Sequence, residues 1–354
     1  MIIYSDTSVC DGWAEFPNVT MVKNINVYMD SLGPKTAVFH APFPRHLDFD
    51  HLEETFNQIY DSSEQIILLV TELHDVTVDF IEKFDRPKIV LFLNGDLNFK
   101  LNHATYYHYH HWFESTTLFY KNNQFLIDKL TPYTAKPKYF DILLGQERKH
   151  RDEIFSYIKH NNLDDNVILT YISGIAESLQ EKSTNEWQWE SEGLEVPDWP
   201  IRHTVRPVKY YNQIISLSQV IPLTIYNQTA YTVVAETWGT DNRFTFNTEK
   251  IVKPILAERL FLVVSNQYYL RNLRAMGFRT FDTVIDESYD LEPDYKIRCQ
   301  MIGEQIKFLA GQPQEEILAK ISPITQHNQS LMLNTDWYGD FTKALRSVVL
   351  SHTN

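Results

Sequence analysis

The chain has 354 residues, of which 43% are hydrophobic, and a formal net charge of −14 at pH 7. A chain of this length has material for two packed cores of about 150 residues each. The negative charge counts against a large nucleic-acid or anionic-membrane surface. Only Cys10 and Cys299 are present, which argues against a disulfide framework and a cysteine-built zinc site. No apolar run is long enough to span a membrane and no signal peptide is evident, so we expect a cytoplasmic protein.

The first 130 residues alternate short apolar runs with helical patterns. Strands are predicted at residues 2–4, 36–39, 66–70 and 88–93, and helices at 52–60 and 76–84. Continuous apolar runs separated by helices are typical of a parallel sheet covered on both faces. Residues 131–138 contain two prolines and no periodicity, which predicts a linker.

The same alternation restarts after the linker. Strands are predicted at residues 139–145, 167–172, 231–236, 260–265 and 279–284, and helices at 148–160, 248–257 and 268–276. The pattern predicts an α/β fold with two Rossmann-like domains facing each other across a cleft. We place the domains at residues 1–130 and 139–322, followed by a helical segment at 323–354. Residues 174–200 are predicted to form an acidic loop with three tryptophans, either a substrate loop or a surface excursion.

Charged residues open one of the predicted helices. Thr248 is placed to cap it, Glu249 and Lys250 lie in its first turn, and Lys253 shares their face. A helix N-terminus attracts phosphate through its dipole and its unpaired N–H groups. This chemistry suits a nucleotide diphosphate, although an ordinary solvated first turn has the same composition. The chain has neither G-x-G-x-x-G nor G-x-x-x-x-G-K-[ST], which argues against a dehydrogenase or P-loop enzyme.

Residues 233–238, 248–251 and 277–281 resemble the donor-binding half of two-Rossmann (GT-B) glycosyltransferases, and the α-1,3/1,4-fucosyltransferases most closely. Glu236 ends a strand as in that family, and Thr248-Glu249-Lys250 opens the next helix. Residues 144–151 are similar to the Asn-Gly-x-x-x-x-His-Arg segment of many such transferases. Thr237 and Trp238 stand where the family has Asn-Ser, so the resemblance does not identify the donor as GDP-fucose.

The resemblance implies a glycosyltransferase that moves a sugar from a nucleotide-diphosphate sugar to a glycan or other hydroxyl acceptor. It implies no cofactor or metal, and inversion at the sugar. Arg151 and Lys250 would bind the donor diphosphate, Glu249 the ribose hydroxyls, and Glu236 the sugar or base. Fixed cations aimed at the leaving diphosphate stabilise its developing charge.

In this architecture the general base that deprotonates the acceptor comes from the first domain. Glu72 follows one predicted strand and Asp96 follows the next. Strand carboxyl ends face the ligand in such sheets, so both are candidates. Each is also explained as a helix cap or a loop carboxylate.

Two other patterns are candidate metal sites. Asp48-Phe49-Asp50 precedes a helical stretch and is better explained as N-terminal capping. Residues 103–111 contain four histidines, which we interpret as a packed aromatic segment rather than a zinc site: His103, His108, His110 and His111. The alternative functions are a catalytically silent carbohydrate-binding or interaction protein of the same fold, and a metallohydrolase using these histidines.

Overall fold

The computed structural model describes residues 2–5, 20–41, 49–172 and 207–350. The strands are β1 Ile2–Ser5, β2 Thr20–Val22, β3 Lys35–Ala41, β4 Gln65–Val70, β5 Ile89–Leu93, β6 Asp96–Leu97, β7 Thr105–His108, β8 Lys138–Gln146, β9 Val167–Ile172, β10 Pro207–Tyr210, β11 Gln213–Ser216, β12 Thr229–Ala235, β13 Phe244–Thr245 and β14 Phe261–Val264. The helices are α1 Ile25–Asp30, α2 Phe49–Tyr60, α3 Asp75–Lys83, α4 His111–Asn122, α5 Gln124–Ile127, α6 Lys149–His160, α7 Leu223–Tyr226, α8 Glu249–Leu256, α9 Tyr269–Ala275, α10 Tyr295–Ala310, α11 Gln314–Asn334 and α12 Trp337–Leu350.

The chain divides into two compact units, residues 1–111 with 336–354, and residues 112–335. The first unit contains a parallel sheet in the order β2-β1-β3-β4-β5-β7, and the second a parallel sheet in the order β14-β12-β8-β9. Along the chain, the strands of each sheet alternate with helices. The predicted α/β class with two Rossmann-like units is therefore confirmed. Within the described ranges, no helix is long and apolar enough to cross a membrane.

The second unit begins at residue 112, earlier than the predicted boundary at 130, because α4 packs within it. The Tyr120 hydroxyl donates to the Gln219 carbonyl at 3.2 Å and accepts from the Ile221 amide at 2.6 Å. At the other end of the chain, α12 belongs to the first unit. Its Phe341 lies in one core cluster with Phe92 of β5, their ring centroids 5.6 Å apart.

A buried ion pair joins the central strands of the second unit. Arg259, which follows α8, donates to Asp141 Oδ1 of β8 at 2.7 Å. Its guanidinium also donates to the hydroxyls of Thr229 and Thr232 on β12, at 2.8 and 2.9 Å. Burial raises the pKa of the Asp141 carboxyl, and the charge of Arg259 opposes that shift. This cluster links β8 to β12, the two central strands of the sheet.

The prediction of a strand at residues 279–284 is wrong, because the backbone forms a turn there. The Val284 amide donates to the Phe281 carbonyl at 2.8 Å. The side chain of Glu287 accepts from the Phe281 amide at 2.5 Å and from the Thr280 hydroxyl at 2.6 Å. The amide and the carbonyl of Phe281, which a strand would pair with its neighbour, are both used in these bonds. The tryptophan-bearing loop at 174–200 lies outside the described residues.

Candidate functional site

The sheet of the second unit has a topological switch point between β8 and β12. From β8 the chain continues to β9 on one side of the sheet, and later returns to place β12 on the other side. In open α/β sheets, ligands bind outside the carboxyl ends of the two strands at such a point. We call this region, formed by the end of β8, the end of β12 and the N-terminus of α8, the β8/β12 edge. Five of the six predicted donor-site residues follow β12 directly or lie at or within the start of α8, and Arg151 lies on α6, five residues after the end of β8.

Glu236 follows β12 and is fully buried at the β8/β12 edge, 0% exposed. Its Oε1 accepts from the Tyr269 hydroxyl at 2.8 Å, and its Oε2 accepts from the Thr248 hydroxyl at 2.5 Å. Burial raises the pKa of the Glu236 carboxyl, and the nearby charge of Lys250 opposes the shift. Sequence reasoning placed this carboxylate against the donor sugar or base. In the structure it ties the end of β12 to the start of α8.

Thr248 caps α8 as predicted, and Lys250 lies beside the cap. Oγ1 of Thr248 accepts from the Lys250 amide at 3.2 Å. The Lys250 ammonium lies 3.0 Å from Glu249 Oε1, 3.2 Å from Thr248 Oγ1 and 3.4 Å from Thr237 Oγ1. The Lys250 side chain is 26% exposed, whereas Glu249 beside it is buried. A cation is therefore held at a helix N-terminus and remains accessible to solvent.

Glu249 and Lys253 complete a cluster of opposite charges. Burial would raise the pKa of Glu249, but the charges of Lys250 and Lys253 outweigh it and lower that pKa. Desolvation lowers the pKa of Lys253 to about 8, with Glu249 opposing the shift. Two ammonium groups thus surround one carboxylate in the first turns of α8. The N-terminal end of the helix dipole adds to the attraction of these ammonium groups for an anion.

Arg151 lies at the β8/β12 edge, but its guanidinium is directed at the backbone. It is 4% exposed and donates to three carbonyl oxygens at the ends of β8 and β12: Gln146 at 2.6 Å, Ala235 at 3.2 Å and Glu236 at 2.9 Å. Strand ends leave such carbonyls unpaired, and a buried guanidinium satisfies several at once. In the structure the Arg151 guanidinium holds the two strand ends together, and its direct contact with the diphosphate stays a prediction.

Sequence reasoning missed two residues of this edge. His150 Nε2 lies 3.0 Å from the Glu236 carbonyl, and Tyr269 donates to the Glu236 carboxylate. His150 belongs to the Gly-x-x-x-x-His-Arg segment, so the resemblance could have flagged it. Tyr269 lies 33 residues beyond Glu236 with no local pattern to mark it.

Gly239 is required by the packing of His150. A Cβ at residue 239 would lie 2.5 Å from His150 Cγ. We expect Gly239→Ala to destabilise the protein by about 1–3 kcal/mol, because the ring must move from a packed position. Urea denaturation measures the change. Gly311→Ala is the control, since its Cβ would come no closer than 3.4 Å to the Phe308 carbonyl; equal losses for the two variants would contradict the packing argument.

His150 should also make stability depend on pH. Desolvation, with the charge of Arg151 adding to it, lowers the pKa of His150 from 6.5 to about 3. His150 therefore takes up a proton near pH 6.5 in the unfolded chain, but only near pH 3 in the folded chain. Unfolding free energy should fall as pH drops below about 6.5, by up to about 1.4 kcal/mol per pH unit from this residue. Denaturation at pH 7.5 and 5.5 tests this, and an unchanged slope in His150→Gln would contradict it.

The two predicted general bases lie in the first unit. Glu72 follows β4 and is partly buried. Asp96 begins β6, beyond the end of β5, and its side chain is 15% exposed with Oδ1 3.6 Å from His108 Nε2. Both lie beyond strand carboxyl ends, as predicted.

The histidine segment is packed against aromatic rings. The rings of His108 and His110 stack with centroids 5.3 Å apart, and His110 meets Trp337 edge-on at 5.2 Å. Among the described residues, no group of three His, Cys, Asp or Glu side chains is arranged to hold a metal ion. Asp48 and the side chain of Asp50 lie outside the residues that the structure describes.

The sequence matches no protein-family model, and no curated protein matches it. Among solved structures, the chain is similar to an α,α-trehalose-phosphate synthase (UDP-forming) from Burkholderia vietnamiensis, with a TM-score of 0.39 and 12% identity over 89% of this chain and 73% of that one. A likeness this weak supports no inference about activity.

Proposed function

We propose that the chain is a GT-B glycosyltransferase that transfers a sugar from a nucleotide-diphosphate sugar to an acceptor hydroxyl. The observation that carries the proposal is the position of Lys250. Its ammonium is partly exposed at the N-terminus of α8, and α8 begins at the switch point of a parallel sheet. The fucosyltransferase-like segments fall on the same elements.

The electrostatics of the β8/β12 edge suit a diphosphate. An incoming diphosphate would meet the amides of the first turn of α8 and the ammonium of Lys250. Glu249 lies against Lys250 and Lys253, so it holds the cations without presenting its own charge to solvent. The buried carboxylate of Glu236 accepts a hydrogen bond from the hydroxyl of the cap residue Thr248 and holds it in place. The cations are thus positioned before the ligand arrives, which is the condition under which electrostatic stabilisation is strongest.

The chemistry follows from this arrangement. The acceptor oxygen attacks the anomeric carbon while the bond from that carbon to the diphosphate oxygen breaks. The electron pair leaves with the nucleoside diphosphate, whose new charge Lys250 and the helix N-terminus stabilise, with no metal in the proposed step. A single displacement of this kind inverts the configuration at the anomeric carbon.

Turnover of nucleotide sugars tests the proposal. The full chain is incubated with UDP-, GDP-, CDP- and ADP-linked sugars, and release of the nucleoside diphosphate is measured with and without EDTA. We expect release from at least one donor, unaffected by EDTA. Saturable binding without release would favour the silent carbohydrate-binding alternative, and loss of release on adding EDTA would contradict the metal-free mechanism.

A further inference from the structure

Two cations lie beside the residues that follow Glu236 at the β8/β12 edge. Thr237 Oγ1 lies 3.4 Å from the Lys250 ammonium. Next along the chain, the ring of Trp238 faces the guanidinium of Arg148, whose Cζ lies 5.6 Å from the ring centroid. Two consecutive residues therefore contact two positive groups beside the end of β12. All of these residues belong to the second unit.

Arg148 comes from the other strand of the switch point. β8 ends at Gln146, and Arg148 is the N-cap residue of α6, two residues later. Lys250 lies in the first turn of α8, after β12. The two connections that leave β8 and β12 at their carboxyl ends therefore supply one cation each. In open α/β sheets a ligand lies between two such connections.

The guanidinium of Arg148 is not saturated by protein groups. Its Nη1 donates to the Glu147 carbonyl at 3.0 Å, and its Nε is buried with no hydrogen-bond partner in the described part of the chain. Among those residues, Nη2 has no acceptor and no carboxylate pairs with the charge. The side chain is partly exposed. A guanidinium in this state can donate to a phosphate oxygen, and its planar shape fits phosphate geometry.

The charge of Arg148 adds to the positive charge at this edge. Burial, and after it the charge of Arg148, lower the pKa of Arg151 to about 10. Arg148 also contributes, after burial and Arg151, to the lowered pKa of His150. Like charges at short range repel each other. An anion that binds beside Arg148 relieves this repulsion.

Trp238 sets the direction of the Arg148 side chain. A guanidinium is attracted to the face of an indole ring, and this contact restricts a side chain that otherwise has many rotamers. The indole is itself packed, with its ring centroid 6.4 Å from that of Phe244. Ser265 Oγ donates to the Trp238 carbonyl at 3.2 Å. Fucosyltransferases have Ser at the position of Trp238, so the resemblance does not imply this pair.

We propose that Arg148 is a second cation of the donor site, which binds the diphosphate together with Lys250, and that Trp238 positions it. The inference rests on the proposed glycosyltransferase function and adds residues to the same site. When the bond from the anomeric carbon to the diphosphate oxygen breaks, its electron pair stays with the diphosphate. Both cations then stabilise the new charge.

The test measures the Kd of whichever of UDP, GDP, CDP and ADP raises the melting temperature of the wild type most. Arg148→Gln should raise this Kd about tenfold or more, the range for losing a hydrogen bond between charged groups. The melting temperature should stay within error of wild type. Arg86→Gln in the first unit is the matched control, because the Arg86 guanidinium also lies 5.6 Å from an aromatic ring, that of Tyr60. It should leave the Kd unchanged.

The positioning role of Trp238 is tested by a double-mutant cycle with Arg148. Trp238→Leu should raise the Kd by a factor close to that of Arg148→Gln, whereas Trp238→Phe, which keeps an aromatic face, should stay closer to wild type. In the Arg148→Gln background, Trp238→Leu should have little further effect. The same factor in both backgrounds would show that Trp238 contacts the nucleotide itself, and its positioning role would be overturned.

The outcomes separate this inference from the proposed function. A near-normal Kd in Arg148→Gln, with weakened binding in Lys250→Ala, overturns the role of Arg148 while the donor site at the β8/β12 edge stands. A raised Kd together with a lower melting temperature in Arg148→Gln shows a structural role and also overturns it. If the wild type binds none of the four diphosphates, both proposals are overturned.

Discussion

Lys250→Ala should lower turnover by about 10²-fold or more, which corresponds to about 2.7 kcal/mol of lost transition-state stabilisation. The Lys250 ammonium is the partly exposed charge at the N-terminus of α8, and charge develops on the diphosphate as it leaves. The fold should survive, because Lys253 still opposes the charge of Glu249 and the Thr248 cap does not depend on the ammonium. Steady-state kinetics and thermal melting on one preparation measure both quantities.

The control is Lys296→Ala in the same unit. Its side chain is 62% exposed, and its ammonium lies 3.9 Å from Glu153 on the surface. Surface pairs of this kind contribute about 0–1 kcal/mol, so both activity and stability should stay near wild type. Near-normal turnover and diphosphate affinity in Lys250→Ala would contradict the assignment of the N-terminus of α8 to the donor site.

Arg259→Met should cost about 3–5 kcal/mol of unfolding free energy, the range measured when one partner of a buried ion pair is removed. All three guanidinium nitrogens of Arg259 donate hydrogen bonds within the protein. Without them, Asp141 is left as a buried carboxylate with only two hydroxyl donors, from Thr229 and Thr232. Urea denaturation at pH 7 measures the loss.

Two comparisons test whether the loss of unfolding free energy comes from leaving Asp141 buried without its cationic partner. The double variant Arg259→Met with Asp141→Leu should recover part of it, because replacing both members of a buried pair is often close to neutral. Lys83→Met removes the exposed ion pair with Glu53 and should cost about 1 kcal/mol or less. A loss below about 1 kcal/mol for Arg259→Met would contradict a structural role for the buried pair.

The strands and helices that could be predicted from sequence are those with a strong local pattern. Continuous apolar runs marked β4, β5, β12 and β14, and Thr248 marked the start of α8. Residues 279–284 show the limit of such patterns. They have strand-like composition, but the Phe281 amide donates to Glu287 and the Phe281 carbonyl accepts within the turn, so these backbone groups do not pair with a neighbouring strand.

The sequence was enough to bring the predicted donor-site residues to one sheet edge, but not to give the directions of their side chains. The order of strands and helices was enough to place residues 145–151 and 236–253 near one sheet edge. The direction of these side chains depends on partners far along the chain, as Tyr269 shows for Glu236 and the carbonyls of Ala235 and Glu236 show for Arg151. Likewise, residues 112–130 belong to the second unit because Tyr120 pairs with segments about 100 residues away.

Backbone hydrogen exchange gives the most direct test of where the diphosphate binds. Exchange is measured on the full chain, alone and with whichever of UDP, GDP, CDP and ADP raises its melting temperature most, since a ligand of the folded state stabilises it by mass action. The β8/β12 edge predicts slower exchange in residues 145–151 and 236–256 when the diphosphate is bound. Protection confined to other segments, or no stabilisation by any of the four diphosphates, would contradict a donor site at this edge.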